Sequence, residues 1–117
     1  MRKIIKTPEY DAYKQTLESN VIEKIDYLVE IITTQSVINT KVAKKLTNTD
    51  FYEIRVQVNN EYRILAVTLD HENINQCTTI LFVHGFMKKS TKDYDKQIKK
   101  AIKILEKWIE QNSTGTK

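Results

Sequence analysis

The sequence predicts an α+β domain: a small antiparallel sheet with helices packed on one of its faces. Three observations lead there. Apolar residues recur at helical spacing between Val21 and Ile32 and again between Tyr94 and Ile109. From Phe51 onward the spacing changes to two, the period of a strand. Gly and Pro are scarce, two and one in 117 residues, so most of the chain must sit in regular elements. The predicted order is β-α-α-β-β-β-α, with residues 1–111 as a single domain and 112–117 as a disordered tail.

Arg2 to Lys6 reads as a first strand. Thr7-Pro8-Glu9 then supplies an N-cap, a proline at the first helical position and an early acid, which start a helix running to about Glu18. Ser19 or Asn20 opens a second helix, with Asn20 and Glu23 spaced as a capping box. Its apolar stripe is Val21, Ile22, Ile25, Leu28, Val29 and Ile32, and the short break predicts an antiparallel helical hairpin. Lys41 to Leu46 is read as a further helical turn. Tyr52, Ile54, Val56 and Val58 alternate with Glu53, Arg55 and Gln57, a half-buried strand. Asn59-Asn60 marks a hairpin turn into a second strand over Glu61–Leu69. After a polar connection, Thr78–Phe86 forms a third strand that is apolar on both faces and therefore interior. The last helix spans about Asp93–Gln111, with Tyr94, Ile98, Ala101, Ile102, Leu105, Trp108 and Ile109 as its stripe.

Composition narrows the function classes. The opening Met1–Lys6 segment lacks the apolar run of a signal peptide, and Ile80–Val83, the longest aliphatic and aromatic run, is too short to cross a bilayer. Cys77 stands alone, which excludes an internal disulfide and fits a cytoplasmic location. The net charge is +4, but its distribution says more. Residues 1–40 carry five Lys/Arg against six Asp/Glu, residues 41–85 balance, and residues 86–117 hold nine lysines against four acids. Basic excess gathered near one end points to a polyanion, usually nucleic acid, or to a solvated helix face.

No Walker loop, GxSxG, HExxH or Cys/His cluster is present, and two histidines are too few for a dedicated metal site. The expected chemistry is metal-free and cofactor-free work on phosphate by basic side chains. Arg55 and Arg63 lie inside predicted strands, and Lys88 and Lys89 follow the third strand directly. An arginine in a central strand is costly without a partner. A two-residue Asn59-Asn60 turn sends Arg55 and Arg63 to opposite faces, whereas an odd-length loop or a bulge places them together; the sequence leaves both open. His84, at the end of the third strand, is a candidate acid or base and equally a satisfied structural residue. Tyr94 either stacks on a base or packs in the core. His71 is read as surface, and Phe86 and Trp108 as core. Lys44, Lys45, Lys92 and Lys96 are candidates for RNA contact.

These residues resemble a known family. Lys44-Lys45-Leu46, then Phe51-Tyr52-Glu53-Ile54-Arg55-Val56, then Glu61-Tyr62-Arg63-Ile64-Leu65 is similar to the lysine-leucine turn, strand and "YR" strand of RelE-type toxins. Phe82-Val83-His84-Gly85-Phe86-Met87-Lys88-Lys89-Ser90-Thr91 resembles the "hGFxKK(S/T)" signature of phage-derived HigB-like toxins. The resemblance covers about Lys41 to Glu110. It implies a type II toxin-antitoxin toxin of the RelE/ParE superfamily with a RelE-like fold. Such a toxin cuts mRNA at the ribosome without a metal, by ribose 2′-OH attack, and is neutralised by a cognate antitoxin, here of helix-turn-helix HigA type. On this resemblance Arg63 holds the scissile phosphate, Lys88 or Lys89 assists the leaving oxygen, Arg55 binds phosphate or moves a proton, and Tyr94 stacks on a base. Glu53 departs from the pattern, standing where RelE has a lysine, and either supplies a base or abolishes activity. A ParE-like poison of DNA gyrase, or a catalytically inactive member, is the alternative reading.

Overall fold

The computed structural model describes residues 1–114; residues 115–117 of the predicted tail lie outside the described residues. The elements run β1 (Lys3–Lys6), α1 (Pro8–Gln15), α2 (Ser19–Thr34), β2 (Ala43–Lys45), β3 (Tyr52–Val58), β4 (Asn60–Thr68), β5 (Thr79–Met87) and α3 (Thr91–Thr114). The α+β class holds, with one strand more than expected. The strands form one sheet in the order β1-β5-β4-β3-β2. Three pairings are antiparallel, while β1 joins β5 in parallel, so the sheet is mixed.

The local start signals divide. Thr7 caps α1 as predicted: its hydroxyl accepts from the Tyr10 N–H at 3.0 Å and donates to the Val83 carbonyl at 2.6 Å. The capping box at Asn20–Glu23 does not form. Glu18 is the N-cap of α2 and makes no side-chain capping bond, because Leu17 already packs on the core and the helix begins right behind it. The stretch expected to add a helical turn is β2 instead. Ala43 pairs with Ile54 and is buried, and the pairing satisfies backbone groups that the outer edge of β3 would leave open. The helix α3 begins two residues earlier than predicted and continues through Thr114, into the segment read as tail.

The prediction of helices on one face is corrected. On one face α1 packs over β5 and α2 over β3, and Tyr10, Val21, Ile25, Leu28 and Ile32 meet Ile54, Val56, Ile64, Ile80 and Phe82. On the other face α3 covers β5, and Ala101, Ile104, Leu105 and Trp108 meet Leu65, Val67, Leu81 and Val83. Strands β4 and β5 are apolar on both sides, and each side needs a cover. The register slips between Leu65 and Ala66: Leu65 faces His84 and Ala66 faces Phe82, with Val83 as the extra residue. Such a bulge re-aims side chains, and here Val83 and His84 both serve the α3 face. Gly85 then lies under α1, where a Cβ would come within 2.3 Å of the Tyr13 ring. Only a residue without a side chain lets α1 settle there.

Candidate active site

The site follows from the tip of the β3–β4 hairpin. Val58 pairs with Asn60, leaving Asn59 alone at the turn with φ 62°, a left-handed conformation that asparagine tolerates. This odd-length tip pairs Arg55 directly with Arg63, which settles the register that the sequence left open. Paired residues share a face, so three rows cross the α3 side. Lys44, Glu53, Leu65 and His84 form the first; Arg55, Arg63 and Phe86 the second; Gln57 and Glu61 the third. Lys88 extends the third row, its backbone N–H donating to the Glu61 carbonyl at 2.8 Å.

Two arginines side by side repel unless an anion lies between them. Glu53 is that anion. Its Oε1 accepts from Arg55 Nε at 2.7 Å and lies 3.4 Å from Arg63 Nε, while its Oε2 accepts from the Tyr94 hydroxyl. Arg63 is 4% exposed. Its Nη2 donates to Glu61 Oε1 at 2.9 Å and its Nη1 to the Tyr62 carbonyl at 3.0 Å. The Arg63 Nε–H is buried and has no aligned acceptor. Arg55 is less buried, its side chain 43% exposed.

Protonation follows from this packing. Burial alone pushes the Glu53 carboxyl up. The hydrogen bonds from Tyr94 and Arg55 and the charges of both arginines outweigh it and hold the group below the usual carboxylate range. Burial, and then the bond to Glu53, raises the Tyr94 hydroxyl, so it stays a donor. The bond from Arg63 lowers Glu61, with help from the nearby charges of Arg63 and Lys88. Both glutamates are therefore ionised at neutral pH, while Tyr94 keeps its proton.

The predicted site residues divide on this map. Arg55, Arg63 and Tyr94 come together around Glu53. Lys88 stands beside Glu61, within electrostatic reach, and Lys44 is the cross-strand neighbour of Glu53. Tyr94 packs as the core reading expects, its ring edge-on against Phe86 at 5.2 Å, and its hydroxyl makes a bond to the cluster that the sequence did not suggest. His84 stays apart. Its Nε2 lies 2.6 Å from Gln97 Oε1, its ring stacks on Phe86, and burial lowers its pKa, which keeps the ring neutral at neutral pH. Lys89, Lys92 and Lys96 are exposed, and among the described residues none forms an ion pair with the cluster; Lys45 donates to the Thr49 carbonyl at 2.5 Å instead. His71 is exposed as expected, its Nδ1 accepting from the Asn73 N–H.

Glu53 is expected from sequence to supply a base or abolish activity, and Glu61 is not among the expected site residues. A signal for both existed, because residues two apart on a strand share a face and each glutamate stands two positions before an arginine. Among the described residues no group of three or more His, Cys, Asp or Glu side chains gathers to hold a metal ion, and no helix is long and apolar enough to cross a membrane.

A profile of the phage-derived Gp49-like protein family matches residues 12–106. The chain belongs to that family. Its fold is that of the E. coli toxin RelE. A double arginine-to-alanine mutant of RelE in the free state superposes with a TM-score of 0.58 at 18% identity, covering 85% of this chain and 96% of RelE. The intact E. coli RelBE toxin-antitoxin complex gives 0.56 at 17% identity, covering 77% of this chain and 100% of the matched one. The isolated E. coli RelE toxin gives 0.54 at 16% identity, covering 86% and 98%. No curated protein sequence matches this Gp49-like chain.

Proposed function

We propose that this Gp49-like chain is the toxin of a type II toxin-antitoxin pair and cuts mRNA on the ribosome at the Glu53–Arg55–Arg63–Tyr94 cluster. One observation carries the reading: the hairpin register sets two arginines side by side around a buried carboxylate. That is the equipment for ribose 2′-OH attack on the adjacent phosphate. Glu53 takes the 2′-OH proton as the 2′-oxygen bonds to phosphorus. Arg63 and Arg55 meet the charge that grows on the non-bridging oxygens. The bond to the 5′-oxygen breaks, and in this reading the Lys88 ammonium gives that oxygen its proton. The products are a 2′,3′-cyclic phosphate and a 5′-hydroxyl. Tyr94 orients Glu53 through its hydroxyl. The Glu61 carboxylate, on a half-exposed side chain, holds Arg63 Nη2 in the free protein, and an incoming phosphate displaces it.

The similarity to RelBE supports an antitoxin partner, and a cytoplasmic site of action goes with this function. Inducing the protein alone should arrest growth and yield transcripts with new 5′ ends inside codons of ribosome-bound mRNA. Arg63→Ala and Glu53→Gln should abolish those ends. Growth arrest with broken DNA and intact transcripts would overturn the proposal in favour of a gyrase poison.

A further inference from the structure

Beside the cluster, at the free edge of the sheet, lies a hollow of about 490 Å³ lined by Lys24, Leu28, Lys41, Val42, Arg55, Gln57, Glu61 and Arg63. It gathers cations from three separate places: Lys24 from α2, Lys41 from the α2–β2 connection, and the two arginines from the hairpin. Its only carboxylate, Glu61, is already committed to Arg63. Neither Lys24 nor Lys41 forms an ion pair among the described residues, and the Arg55 side chain, though bonded to Glu53 through its Nε, is 43% exposed. Unpaired cations facing one opening attract a polyanion. The neighbouring surface adds an aromatic element. Tyr27 is 56% exposed, and the Lys24 ammonium sits 5.3 Å from its ring centroid.

We propose that Lys24 and Lys41 hold the backbone phosphate of the nucleotide next to the cut, and that Tyr27 offers a stacking surface to its base. This subsite rests on the RNA-cutting reading and extends it. The strand then passes over the sheet edge, one phosphate on the two lysines and the next on the arginines. Lysine–phosphate contacts carry no base preference and position the strand. Stacking on a tyrosine tolerates any base. The subsite therefore accepts single-stranded RNA of any sequence and sets its register on the arginines.

The test uses the full-length protein and a short labelled 2′-O-methyl RNA, which binds without being cut. Lys24→Ala/Lys41→Ala should bind on the order of tenfold more weakly, with a log K against log salt slope smaller by about 0.7 for one lost phosphate contact. Lys24→Arg/Lys41→Arg should restore both quantities. One methylphosphonate at the neighbouring position should erase the difference between wild type and the alanine pair. Tyr27→Ala should weaken binding about tenfold without changing the slope. Unchanged affinity and slope in the alanine pair, with Arg63→Ala still weakening binding, would overturn the subsite and leave the cutting proposal standing. Loss of polyglutamate binding alone would assign the hollow to an acidic protein and also overturn it. Absence of RNA binding by every form would overturn the subsite, while the new 5′ ends in ribosome-bound mRNA decide the cutting proposal separately.

Discussion

The two faces of the sheet are built from the same strands and serve opposite ends. On the α1/α2 face, Tyr52, Ile54 and Val56 of β3 and Ile64 of β4 continue one apolar layer. On the α3 face the alternate residues of β3 and β4 start apolar, at Leu65 and Val67, and then turn to Glu53, Arg55, Arg63 and Glu61. The helix α3 explains the split, because its Ala101–Trp108 half lies on the apolar part and its start brings Tyr94 to the charged part. Burial stabilises the first face. The second face joins an apolar core under α3 to a patch of charges whose desolvation is offset by one another.

Substitutions should separate the faces. Phe82→Ala, in the closed layer, should cost ~3–5 kcal/mol in urea unfolding, with cutting by the folded fraction unchanged. Arg63→Ala should lower the cutting rate by ~10²–10³, and a cutting rate close to wild type would erase the distinction. Gly85→Ala drives a methyl into the Tyr13 ring and should cost ~1–3 kcal/mol, seen as a lower unfolding midpoint. Asn59→Val places a β-branched residue in the left-handed conformation at the turn and should cost ~1–2 kcal/mol. The smallest effect is Lys14→Ala, which breaks an exposed pair with Asp26 and should change stability by less than ~1 kcal/mol.

Acid separates the faces further. Because the folded-state pKa of Glu53 is depressed, its contribution is complete above the ordinary carboxylate value and fades as pH falls through the lowered one. Cutting should follow the same limb, since Glu53 must be ionised to accept a proton, and Glu53→Gln should flatten that limb in a stability–pH profile. His84 is depressed by burial. Its share of stability is present above about pH 6.5 and is lost on acidification, with no matching step in cutting.

Much of this was legible where one chain segment decides its own fate. The Thr7 cap, the Val21–Ile32 stripe and the alternation of β3 depend on near neighbours and appear where predicted. Features set by distant partners were not legible. Strand β2 exists because β3 offers an edge, α3 changes face because β4 and β5 are apolar on both sides, and β1 lies parallel because β5 receives it. Arg55 and Arg63 were identified, but their meeting depended on whether one residue or two forms the Asn59 turn. Lys24 and Lys41 carry no sequence signal, because α2 and the sheet edge meet only in the folded chain.

The claim that Glu53 and Arg63 form one cutting centre is tested most directly by a double-substitution cycle on a mapped mRNA site. Cutting rates would be compared for wild type, Glu53→Gln, Arg63→Ala and the double variant. Two groups acting on one transition state predict a double variant no slower than the worse single one, because the second loss has nothing left to remove. Multiplied losses, or a single variant that cuts like wild type, would contradict it.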